Sequence, residues 1–107
     1  MKKLFEILVP TRYGDGSSKP IRKRHHLEWD KRVLAISGGL TILYPSKGKW
    51  VYEGELYPEK MIPVRVMCSE EQMKTIVELT LQHYRQRAVM FYRLSDQVEI
   101  VYNTKTI

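Results

Sequence analysis

Only one cysteine, Cys68, occurs in 107 residues, so no internal disulfide can form and a cysteine-stapled secreted scaffold is excluded. Long apolar runs are also missing. Leu4 to Val9 is interrupted by Glu6 and ended by Pro10, which is too short to span a bilayer, and no small-residue cleavage site follows it. The stretch reads as a strand, and the reducing cytoplasm is the expected compartment. There is no internal repeat, no low-complexity tract and no catalytic signature. His25, His26, His83 and Cys68 are the only soft ligand candidates, and none stands at a recognised metal spacing, so no metal or cofactor is expected. Acidic residues are scarce too, with 12 against 18 lysines and arginines and a net charge of +6.

What is present suits one folded domain over residues 1–107. Hydrophobic residues at 43% and charged residues at 28% are near the globular average, which argues against disorder, collagen and a membrane protein. The positive charge is local. Residues 1–36 hold nine lysines and arginines against four acids, a net +5, and centre on Arg22-Lys23-Arg24-His25-His26.

Periodicity divides the chain. Lys3 to Val9 alternates as a strand, with Phe5, Ile7 and Val9 on one face. A Gly/Asp/Ser-rich loop, Thr11 to Lys19, leads to a helix from about Pro20 to Ile36, ended by Gly38-Gly39. Leu40 to Tyr44 reads as a second strand and Pro45 to Gly48 as a turn. Trp50 to Tyr52 extends a ribbon past that turn, and Glu53 to Lys60 is irregular. Met61 to Cys68 is a third strand, in which Pro63 demands an edge or one unpaired side at that point. Ser69 to Arg87 is a helix opened by a Ser69/Gln72 capping box, with Met73, Ile76, Val77, Thr80 and Tyr84 on its buried stripe. Ala88 to Leu94 and Gln97 to Tyr102 form a closing hairpin turned at Ser95-Asp96. The result is an α+β, ferredoxin-like βαββαβ plan with an extra C-terminal strand, an antiparallel sheet with two helices on one face.

Ser37 to Leu43, Gly48-Lys49-Trp50 and Glu59 to Val66 resemble a family of short bacterial domains of uncharacterised activity, marked by a Gly-Leu-Thr strand and a Gly-x-Trp turn. The order of elements, with Val89 to Leu94 leading to Val98-Glu99-Ile100, is more loosely similar to nitrogen regulatory PII and CutA-type proteins. That likeness implies a trimer with ligand clefts between subunits. Gln86-Arg87-Ala88 stands where PII-type chains carry a glycine-rich phosphate-binding turn, which argues against nucleotide binding in their manner.

The basic cluster opposes a helix dipole, so it reads either as an anion site or as a solvated face or contact with an acidic neighbour subunit. The expected ligand site is Arg12, Arg22, Arg24 and His25, covered by Trp50 or Tyr52 and taking an anionic small molecule. Phosphate, nucleotide and organic acid all fit that pattern. Tyr44, Trp50, Tyr52 and Tyr57 beside Lys47, Lys49 and Lys60 allow an alternative, a single-stranded nucleic-acid module. A second alternative is a small enzyme of dimeric-barrel type, which would need Trp29 or Trp50 in a cleft with His26, His83 or Arg12. Glu53, Glu55 and Glu59 read as a solvated loop. The apolar residues Leu4, Leu8, Met61, Met67, Met90, Tyr92 and Leu94 exceed what two helices can cover. A homo-oligomer, dimer or trimer, follows.

Overall fold

The computed structural model describes residues 1–105; Thr106 and Ile107, the end of the expected domain, lie outside the described residues. Strand β1 is Lys3–Pro10 and helix α1 is Lys23–Ser37. Strands β2 and β3 are Thr41–Ile42 and Ser46–Tyr52, and β4 is the long strand Glu55–Cys68. Helix α2 is Glu70–His83, and β5 is Phe91–Ser95. The sheet runs β2-β4-β1-β5, with β3 also on β4 and every pairing antiparallel. Since β2 and β3 share one edge of β4, the plan is ferredoxin-like.

Alternation along the two central strands builds the core. Phe5, Ile7 and Val9 of β1 and Val64, Val66 and Cys68 of β4 are buried against Trp29 and Val33 of α1 and Met73 and Ile76 of α2. Both helices therefore cover one face. The cap of α2 is as the sequence reads: Ser69 Oγ accepts from Gln72 N, and Gln72 Oε1 accepts from Ser69 N. Gln72 Nε2 also donates to the Ile36 carbonyl near the end of α1, so one side chain caps one helix and ties it to the other. Gly38, at φ 83°, closes α1.

Four readings are corrected. Pro20 does not open the first helix; it bridges to Arg12 and closes the 11–20 loop, and the helix begins three residues later. Residues 45–48 and 53–60 are not a turn and an irregular stretch, because β3 and the first half of β4 form a continuous ribbon. Its turn is Glu53-Gly54, at φ 50° and 80°, the left-handed pair that a two-residue hairpin loop needs. The second helix stops at His83, and Arg85 at φ 52° turns the chain away. Gln97 to Tyr102 forms no strand, and the fifth strand of the sheet arises instead because the second is broken at residues 43–45. The ribbon lengthens the molecule to 55 × 29 × 25 Å, with a radius of gyration of 15.5 Å. A compact chain of this length would have about 13 Å.

The core contains a polar relay. Trp29 Nε1 donates to Thr80 Oγ1 at 2.9 Å, and Thr80 Oγ1 donates to the Ile76 carbonyl at 2.6 Å. Both side chains are buried. Thr80→Val keeps the shape and strands the indole N–H, so we expect a loss of about 1–3 kcal/mol in urea unfolding. In a Trp29→Phe background the same change should cost clearly less; equal costs in both backgrounds would show the relay to be irrelevant.

Candidate functional site

The basic cluster does not converge. Arg22 is the N-cap of α1 without a side-chain cap bond, and Arg22, Lys23 and Arg24 are exposed. Arg12 Nη1 donates to the Ser18 carbonyl at 2.7 Å and so holds its own loop closed. That loop is further set by Asp15, whose carboxylate accepts from Ser17 and pairs with Arg85 at 3.2 Å; these contacts, the Ser17 bonds foremost, lower its pKa to about 2.

His25 turns inward, to the end of α2. Its Nε2 donates to the His83 carbonyl at 2.7 Å, and His83 Nε2 donates to the His25 carbonyl at 2.8 Å. A carbonyl can only accept, so both rings carry their proton on Nε2. The rings stack at 3.8 Å, 14° from parallel. Glu28 Oε2 lies 3.5 Å from His25 Nδ1. Beside this pair, His26 Nδ1 shares a 2.8 Å hydrogen bond with the hydroxyl of buried Tyr84. Burial lowers the pKa of His26, with His25 and His83 adding to it. Burial lowers that of His83 as well, against the opposing bond to the His25 carbonyl.

The larger concavity lies on the sheet face that the helices leave bare. There the register aligns Leu4, Glu6, Leu8 and Pro10 of β1 with Met67, Arg65, Pro63 and Met61 of β4. Glu6 is buried, accepts from Arg65 Nε at 3.1 Å and accepts from the Tyr92 hydroxyl. The same alternation continues into the ribbon and puts Trp50 opposite Tyr57, with Tyr52, Glu55 and Glu59 on that side. Lys47, Lys49 and Lys60 fall on the other side. Trp50, Tyr52 and Tyr57 are thus set apart from the lysines by register along the ribbon, although Lys47, Lys49 and Trp50 also border a second, smaller concavity together.

Between the ribbon and residues 86–91 is a cleft of about 770 Å³, lined by Leu8, Trp50, Tyr52, Tyr57, Met61, Phe91 and their neighbours. Its polar contributors are Glu59, Gln86 and Arg87. The Trp50 indole N–H is buried and, among the described residues, is the one such side-chain atom without a partner. Of the expected site, Trp50 and Tyr52 line this cleft; Arg12, Arg22, Arg24 and His25 do not, and neither does any histidine. Glu28 had one signal in the sequence, the His25-x-x-Glu28 spacing; His83 stood out only as a soft ligand candidate, and Gln86-Arg87-Ala88 only as the place of the turn that PII-type chains carry.

No protein-family model matches the chain, and no curated protein matches it. Solved structures do. The divalent cation tolerance protein CutA1 of Thermus thermophilus superposes with a TM-score of 0.70 at 11% identity, over 94% of this chain and 88% of that one. The periplasmic divalent cation tolerance protein CutA of Archaeoglobus fulgidus gives 0.68 at 13%, over 94% and 88%. CutA1 of Oryza sativa gives 0.68 at 9%, over 92% and 83%. The chain shares the CutA fold. The CutA likeness in the sequence is therefore one of architecture, and no family model supports the Gly-Leu-Thr and Gly-x-Trp resemblance. No helix among the described residues is long and apolar enough to cross a membrane.

The Glu6–Tyr92 bond makes a prediction about pH. Donation to Glu6 raises the Tyr92 phenol above its ordinary value of 10.0. The neutral phenol is the form favoured by folding, so its contribution is complete below pH 10 and is lost as pH rises through the folded-state value. Ultraviolet titration should show this tyrosine ionising late, and Glu6→Gln should return it toward 10. An unchanged titration would mean that the bond does not form in solution.

Proposed function

We propose that this protein is a homo-oligomeric ligand-binding protein of two or three copies, working in the cytoplasm without catalysis of its own. The observation that carries the assembly is the bare sheet face. Met90 is 43% exposed there, next to Leu4, Leu8, Met61 and Met67, and Leu94, also 43% exposed, lies at the register shift of β5 beside Leu4; a face this apolar is usually covered by a second copy. Ile100, Val101 and Tyr102 are exposed too, in a segment with strand-like composition and no strand partner among the described residues. A neighbour's sheet edge would supply one.

The cleft beside Trp50 supports the ligand part. Its walls are mainly apolar and aromatic, and Arg87 among them supplies a positive charge. Of phosphate, nucleotide and organic acid, an organic acid with a ring or hydrocarbon body suits such a lining best.

Sedimentation equilibrium at micromolar concentration tests the assembly: a dimer or trimer is expected for the native chain and dissociation for Leu94→Glu, while a strictly monomeric native chain overturns it. Anilinonaphthalene sulfonate, an aromatic anion, is the probe for the cleft. Its saturable binding should quench Trp50 emission and weaken in Arg87→Ala. Equal binding by Trp50→Phe/Arg87→Ala and the native chain would place the ligand elsewhere.

A further inference from the structure

The histidine pair at the helix ends has no part in the cleft. It joins the first turn of α1 to the last residue of α2, and with Glu28 it gathers three groups, each with one ligand atom within 4.8 Å of the others. His25 and Glu28 are three residues apart on one helix and so present their side chains to the same side. The His25 Nδ1 to Glu28 Oε2 distance, 3.5 Å, is close to the edge of about 3.4 Å between two ligands of one tetrahedral ion at about 2.1 Å.

Protonation state is also favourable. Because each Nε2–H is held by a backbone carbonyl, each neutral ring leaves Nδ1 bare. A metal-binding histidine is ordinarily fixed in this way, with its second nitrogen donating to a carbonyl or carboxylate. Glu28 is more than half exposed and free to turn. The negative end of α2 adds attraction at His83, while Arg22, Lys23, Arg24 and Arg32 oppose a cation.

We propose that His25 Nδ1 and Glu28 Oε2 hold a divalent first-row transition ion such as Zn²⁺, with His83 as third ligand and water completing the shell. The three ligand atoms lie within 4.8 Å of one another, wider than a coordination edge, so binding draws the groups together. A hard ion such as Mg²⁺, which prefers oxygen ligands, would not drive that change.

Isothermal titration of the full chain with zinc chloride at pH 7.5 is the test, with magnesium chloride as the comparison. One Zn²⁺ per chain should bind, Mg²⁺ should not, and Glu28→Gln and His83→Ala should each weaken Zn²⁺ by at least about tenfold. His26→Ala should leave the affinity unchanged. Cobalt(II) should develop visible d–d bands in the native chain that are lost in His83→Ala. Glu28 is on the surface, so Glu28→Gln keeps the fold even where His83→Ala loosens it. Absence of Zn²⁺ binding, or equal affinity in native chain and Glu28→Gln, overturns the site.

Discussion

One strand, β4, sets the geometry of everything else. Its eight C-terminal residues pair with β1 from Cys68 opposite Lys3 to Met61 opposite Pro10, and its N-terminal residues continue alone with β3 beyond the end of β1. Side chains alternate without a break along all fourteen residues. The parity that buries Val64, Val66 and Cys68 under the helices therefore also decides, more than 20 Å away at about 3.3 Å per residue, which side of the ribbon carries rings. A one-residue slip would exchange the two faces throughout. It would bury Arg65 and turn the core valines to solvent.

The two prolines in β4 show how a rule read from sequence meets the sheet. A residue's N–H and C=O point to the same side of a strand, and Leu43 N donates to the Pro63 carbonyl, so the missing donor of Pro63 faces β2 and β3. It falls where that edge is broken, between the Ile42–Val64 and Ser46–Met61 pairs. The demand for one unpaired side at Pro63 was therefore legible, and the structure meets it with a gap beside a central strand. Pro58, five residues earlier, faces the opposite way. There β1 has ended and no acceptor is waiting. Pro58 and Gly54 made residues 53–60 look irregular because local sequence does not say where a neighbouring strand stops.

The helices, the core stripes and the Ser69/Gln72 cap were legible because each is a local pattern of spacing three, four or two. The ligand-side geometry was not. His25 and His83 are 58 residues apart and meet only because α1 and α2 lie on one face of the sheet. The same packing turned His25 away from Arg22 and Arg24, which share its helix turn and its charge run but not its direction. Trp50, Tyr52 and the lysines among them are adjacent in sequence. Adjacency in a strand means opposite faces, so the alternation of Lys47, Lys49, Trp50 and Tyr52 in the letters is divided between the two sides of the ribbon.

The two tryptophans separate what this fold completes within one copy from what it leaves open. Trp29 is buried between the helices and its indole donates to Thr80, itself bonded to Ile76. Nothing further is needed there. Trp50 buries its donor against Gly48 and Met61, where a side chain at Gly48 would already collide with Met61 Cε at 2.7 Å. A buried donor without an acceptor costs about 1–3 kcal/mol, and no pressure of packing in the core forces it here. The cleft beside Trp50 opens on the face that also carries exposed Met90, so the proposed assembly and the proposed ligand site share one surface of the sheet.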